Sequence, residues 1–157
     1  MLKQIFASLF VLLLIIPFAS QAFGHGLSID TPPPVNYLGR DIVITAEMFP
    51  AFYDNEGIDK QIKIRVYDSK NNENIKNTNI LIGLNYQDKL IFRNFFFTQN
   101  GDLTIKVHPT DDGNIVITGE KEPLLGGWMA TETTPIELTG PVFKSGGLYH
   151  LEIAIRT

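Results

Sequence analysis

The chain contains no cysteine among its 157 residues. That absence excludes disulfides, thiolate metal sites, redox dithiols and cysteine nucleophiles together. Basic residues are also in deficit: 13 Lys and Arg stand against 17 Asp and Glu, for a formal net charge of −4. A nucleic-acid backbone calls for a basic stripe, so that partner class is excluded on charge. No Asn-x-Ser/Thr sequon occurs, no glycine-rich phosphate loop opens a helix, and no Ser/His/Asp order suggests a triad. The sequence therefore reads as non-catalytic.

What is present begins with a segregated N-terminus. Residues 1–24 hold 17 apolar side chains and one charge, Lys3. Lys3 forms a positive n-region, Ile5 to Ile16 an apolar h-region, Pro17 a helix break, and Ala19, Ser20, Ala22 and Gly24 a small-residue region. This is the layout of a secretory signal peptide. Cleavage after Ala22 leaves Phe23 first, and cleavage after Gly24 leaves His25 first. The alternative is an uncleaved anchor, because residues 5–23 are near the minimum length of a membrane tether. On either reading residues 25–157 form one domain that is extracellular or held at the cell surface. Without the leader the hydrophobic fraction falls from 44% to about 39%, ordinary for a globular domain. A domain of this size buries enough surface to fold without staples.

After residue 24 no helical stripe of useful length occurs. Short alternating segments follow one another between Gly, Pro, Asn and Asp clusters, the spacing of an all-β sandwich. Asp41 to Phe49 places Ile42, Ile44, Ala46 and Met48 on one side, and Gln61 to Tyr67 turns Ile62, Ile64 and Val66 inward. Asn79 to Tyr86 does the same with Ile80, Ile82 and Leu84, and Leu148 to Arg156 with Leu151, Ile153 and Ile155. Asp68 to Glu73 is a polar turn, and Gln87-Asp88 can turn the chain into Lys89 to Thr98. Asn100-Gly101 accepts the dihedrals of a tight hairpin, which predicts pairing of the strands on either side. Residues 119–135 read as a long surface loop. The expected fold is an immunoglobulin-like antiparallel β-sandwich of seven to eight strands, preceded by an N-terminal signal helix.

Ile64 to Asp68, the polar turn after it, and Ile75 to Ile82 resemble the middle of exported immunoglobulin-like domains. The His25-Gly26-Leu27 opening, Pro32-Pro33-Pro34, Gly39-Arg40, and the Gly140-Pro141 and Gly146-Gly147-Leu148-Tyr149 ending are similar to small exported proteins of ammonia-oxidising archaea. That resemblance spans most of the mature chain and implies a fold and a location, with no reaction attached. His25-Gly26-Leu27 followed by Thr31-x-Pro33 also resembles the start of exported copper carriers of the CopC type, whose downstream signature this chain lacks.

Only three histidines exist: His25, His108 and His150. If cleavage exposes His25, its α-amine and imidazole could chelate one metal, and copper(II) favours such nitrogen ligation. Strand parity turns His108 and His150 outward, as a surface site requires. Copper binding through His25, with His108 and His150 as further ligands, is thus the alternative to a cofactor-free protein. The plain reading makes His25 a chain terminus and the other two exposed polar residues.

Aromatics suggest a protein partner at the cell exterior or in a membrane complex. Phe49, Phe52 and Tyr53 cluster at a strand end and its loop, and Trp128 stands in a Gly-Gly-Trp-Met loop. Phe95-Phe96-Phe97 puts rings on both faces of one strand, so at least one must face away from a simple core. Burial is the competing use of every one of these rings. The primary expectation is an exported, non-catalytic interaction module.

Overall fold

A computed structural model describes residues 29–30, 32–50, 58–144 and 149–156. The signal segment, its cleavage frames and His25 lie outside the described residues, as do Phe52 and Tyr53.

Alternation and turn chemistry produce twelve strands among the described residues. They are β1 (Ile29–Asp30), β2 (Val35–Tyr37), β3 (Arg40–Phe49), β4 (Lys60–Asp68), β5 (Thr78–Tyr86) and β6 (Lys89–Thr98). There follow β7 (Asp102–Pro109), β8 (Val116–Thr118), β9 (Glu120–Lys121), β10 (Trp128–Met129), β11 (Ile136–Gly140) and β12 (Tyr149–Arg156). Seven have five residues or more. β8 falls on the Ile115-Val116-Ile117 run that follows the Asp111–Asn114 turn, whereas β1, β2, β9 and β10, two or three residues each and too brief to show a period in sequence, and the five-residue β11 are additions to the expected series.

The strands form two sheets. In the first the order is β3-β4-β7-β11-β8, with β1 and β2 end to end on the outer edge of β3. In the second it is β12-β5-β6-β10-β9. Most pairs are antiparallel, but β11 runs parallel to β7 and β10 parallel to β6, so both sheets are mixed rather than antiparallel. The cause lies in the stretch expected to be a surface loop. After β8 the chain crosses at Gly119 into the second sheet as β9 and β10, then returns to the first as β11 in the direction of β7.

The core lies between the sheets. Ile62, Ile64, Val66, Leu103, Ile105, Val107, Ile136 and Leu138 from the first sheet meet Ile80, Ile82, Leu84, Phe92 and Phe96 from the second, all buried. Period-two patterning dictates this, since alternate residues of a strand share a face. Gln87 and Asp88 both have positive φ and link Tyr86 directly to Lys89, the signature of a tight hairpin turn.

Asn100-Gly101 departs from expectation. It joins β6 in one sheet to β7 in the other, so the flanking strands face each other across the core and do not pair. Gly101 has φ +86° and packs against Asn74 and the Val66 carbonyl, whereas Asn100 uses its side chain. Its Oδ1 accepts from the Asp102 amide at 3.0 Å and from the Thr98 hydroxyl at 3.1 Å. An Asn-bridged arch and a hairpin share one dipeptide signal, and the alternation of the flanking strands is the same in both.

Candidate functional site

The exposed large apolar residues sit mainly at strand ends and in loops. Phe49 ends β3 with 61% of its surface exposed, and Ile58, just before β4, is exposed as well. The expected aromatic at this strand end thus faces solvent.

Beside that pair, His108 at the end of β7 points away from the core. Its Nδ1 lies 2.7 Å from Asp59 Oδ1, and its Nε2 lies 3.9 Å from Glu137 Oε1. Both ring nitrogens therefore face carboxylates, on β11 and on the loop entering β4. The role is structural on its face, because the imidazole ties that loop to the first sheet.

His150 lies on the outward face of β12, opposite Asn85 in β5. It belongs to the outer face of the second sheet and His108 to that of the first. Packed sheets stand about 10 Å apart, and side chains on the two outer faces diverge further. The fold therefore separates His108 from His150. Among the described residues no group of three or more His, Asp and Glu is placed to hold a metal. A copper chelate on His25 would have to recruit one of these histidines without the other.

Trp128 pairs with Phe96 through the parallel β10–β6 contact and packs half-buried against the core. Lys121 on β9 sits 4.5 Å over its ring, a cation–π contact covering one face. Its indole Nε1 is buried without an acceptor among the described residues. The preceding Gly127 lies flat on Asn79 and Phe97, where a Cβ would come within 2.8 Å of Asn79 Oδ1 and 3.2 Å of Phe97. This resolves the three-phenylalanine run. Phe96 faces the core, Phe97 is covered by the Gly127 segment, and Phe95 stays 42% exposed on the outer face.

One feature of residues 119–135 was not singled out by their sequence. Between β9 and β10 the chain makes a turn at residues 123–125, and Glu122 braces it. The Glu122 carboxylate accepts from the Leu124 amide at 2.9 Å and the Leu125 amide at 2.5 Å, while its backbone exchanges hydrogen bonds with Gly126 and Gly127. The result holds Leu124 90% exposed and Leu125 51% exposed. The available signal was Leu-Leu directly after Glu-Pro in an otherwise polar loop.

No family model, no curated protein and no solved structure matches this chain.

Proposed function

We propose that this chain is an exported, non-catalytic β-sandwich that docks a protein partner at the cell exterior through apolar side chains at its loop ends. The observation that carries the reading is the Glu122-braced turn. A carboxylate that fixes two successive amides spends its hydrogen-bonding capacity on holding two leucines in water. Other large apolar side chains are exposed as well, Leu38 at 81% among them, but these two are adjacent and held by one carboxylate. Rigid apolar anchors on a fixed loop are what an interface core uses, since little side-chain order is then lost on binding. Phe49 at the end of β3 and Ile58 just before β4 are further exposed apolar side chains.

Strand order supports the immunoglobulin-like form of the proposal. In such sandwiches the first, second and fifth strands share one sheet, while the third pairs with the sixth in the other. Here β3, β4 and β7 take the first set of places, β5 and β12 the second, and β6 flanks β5. β11 takes the place beside the fifth strand, with reversed direction.

The test is recovery of a membrane-fraction partner by the tagged full chain, compared with a Leu124→Ser/Leu125→Ser variant. The reading expects loss of a specific partner with an unchanged melting temperature. Equal recovery by both proteins contradicts it.

A further inference from the structure

Four edges terminate the two sheets, and three of them are blunted. The first sheet ends in β1 and β2, of two and three residues with Pro32-Pro33-Pro34 between them, and at its other side in the three-residue β8. The second sheet ends at one side in the two-residue β9, and the stretch of β6 beyond its single Trp128–Phe96 pairing carries Lys89 and Arg93. Very short edge strands and proline are how monomeric β-proteins prevent edge-to-edge pairing. The fourth edge, β12, has neither. It is eight residues long, pairs with β5 in unbroken register from Tyr149 to Arg156, and contains no proline, lysine or bulge. No described strand lies on its outer side.

Burial along β12 says the same. Leu151, Ile153 and Ile155 face the core opposite Leu84, Ile82 and Ile80, which are at most 1% exposed. Yet the three β12 residues are only partly buried. Among the described residues the sandwich is thus open along this side, in the place where an immunoglobulin-like sheet carries its last strand.

We propose that this edge is closed by a second copy of the chain, β12 pairing antiparallel with its symmetry mate. A two-fold interface must be self-complementary, and the side chains of facing residues must project to the same face. Register is therefore limited to arrangements in which one residue faces its own copy. Placing Glu152 opposite Glu152 of the second copy juxtaposes like charges. Placing Ile153 on the axis sets His150 against Arg156. Placing Ala154 on the axis sets Glu152 opposite Arg156 of the second copy, twice, with Ile153 opposite Ile155 on the core side. Of these three registers only the last gives attraction on the outer face and apolar contact on the inner face, and one centred on Leu151, which sets His150 opposite Glu152, leaves Arg156 outside the paired stretch. The Glu152 carboxylate bonds Arg93 through Oε2 and accepts only a long 3.3 Å contact from Asn85 at Oε1, so it has acceptor capacity for a second guanidinium. A shallow depression of about 170 Å³ lies beside the edge, bordered by Gly83, Arg93, Glu152 and Arg156, with room for that side chain. The two copies then share one continuous ten-stranded sheet. This interface is distinct from the leucine turn, so each can fail without the other.

Sedimentation equilibrium on the full chain, over a wide concentration range, tests the proposal. It expects reversible association to twice the 17.6 kDa chain mass, or twice the processed mass if the leader is removed. Ala154→Lys and Ala154→Glu each place like charges on the axis, and each should raise the dimer midpoint by about tenfold or more. An equimolar mixture of the two should restore association as a heterodimer. Hydrogen exchange at β12 provides a reading that needs no variant: its edge amides should gain protection as concentration rises. A wild-type chain that stays monomeric, variants that dimerise as wild type does, or β12 protection independent of concentration each overturn the proposal. The last result would mean that the chain's own residues cover the edge.

Discussion

Arg93 and Glu152 meet across Gly83. The three residues sit side by side on adjacent strands, β6, β5 and β12, and the missing side chain of the middle one lets the outer two touch. Arg93 Nη2 donates to Glu152 Oε2 at 2.5 Å, and both side chains are about half exposed, 48% and 46%. Because water screens the pair, it ties β12 to the sheet weakly. A double-mutant cycle with Arg93→Ala and Glu152→Ala should give a coupling of at most about 1 kcal/mol. Molar salt should reduce it further in chemical denaturation.

Gly83 itself is replaceable. An added Cβ there meets Arg93 Nε at 3.3 Å and Glu152 Oε2 at 3.4 Å, the mobile ends of two side chains. Gly83→Ala should therefore change stability by less than about 1 kcal/mol, with gain in strand propensity offsetting the crowding. Gly101→Ala differs in kind. Its Cβ would stand 2.7 Å from Asn74 Cβ and 2.9 Å from the Val66 carbonyl, at φ +86°. Gly39→Ala, at φ +77° in open space, isolates the dihedral cost of about 1–3 kcal/mol. Equilibrium denaturation should rank Gly101→Ala as the most damaging of the three.

Ile82 and Ile153 are ladder partners with unequal cover. Ile82 is fully buried, so Ile82→Ala should cost about 2–5 kcal/mol. Ile153→Ala should cost clearly less, since part of its surface already faces water. Urea midpoints at low protein concentration make the comparison free of association.

Glu122→Ala removes the acceptor for the Leu124 and Leu125 amides. Loss of a carboxylate cap of this kind costs about 1 kcal/mol locally. Amide exchange at Leu124 and Leu125 should accelerate while exchange in β4 and β5 stays unchanged. Glu122→Gln, which keeps an acceptor oxygen, should restore part of the protection.

Much of this was legible in advance. Ile62, Ile64 and Val66, or Ile80, Ile82 and Leu84, alternate so cleanly that strand, face and core membership follow from the pleat alone. Gln87-Asp88 turns where its side-chain chemistry permits positive φ. Direction and partner choice were less visible. Alternation in Ile136 to Gly140 is identical for parallel and antiparallel pairing, so the mixed sheets could not be read from it. Asn100-Gly101 suits an arch between sheets as well as a hairpin. At the candidate site, Phe49 stood out because aromatics at strand ends are conspicuous. The Leu124-Leu125 turn did not, because its meaning depends on the Glu122 carboxylate folding back on two amides, a contact that composition does not register. Parity turned His108 and His150 outward as expected, but could not tell that they stand on different sheets.

Under the proposed function, Leu124 anchors a protein partner. Its most direct measurement is site-specific photo-crosslinking in the producing cell, with a photoreactive residue at position 124 and a control at Val116. That control is a half-exposed apolar position on the β8 edge. A single discrete adduct at 124, absent at 116 and lost in Glu122→Ala, is the predicted result. Equal labelling at both positions, or none at 124, would overturn that role for Leu124.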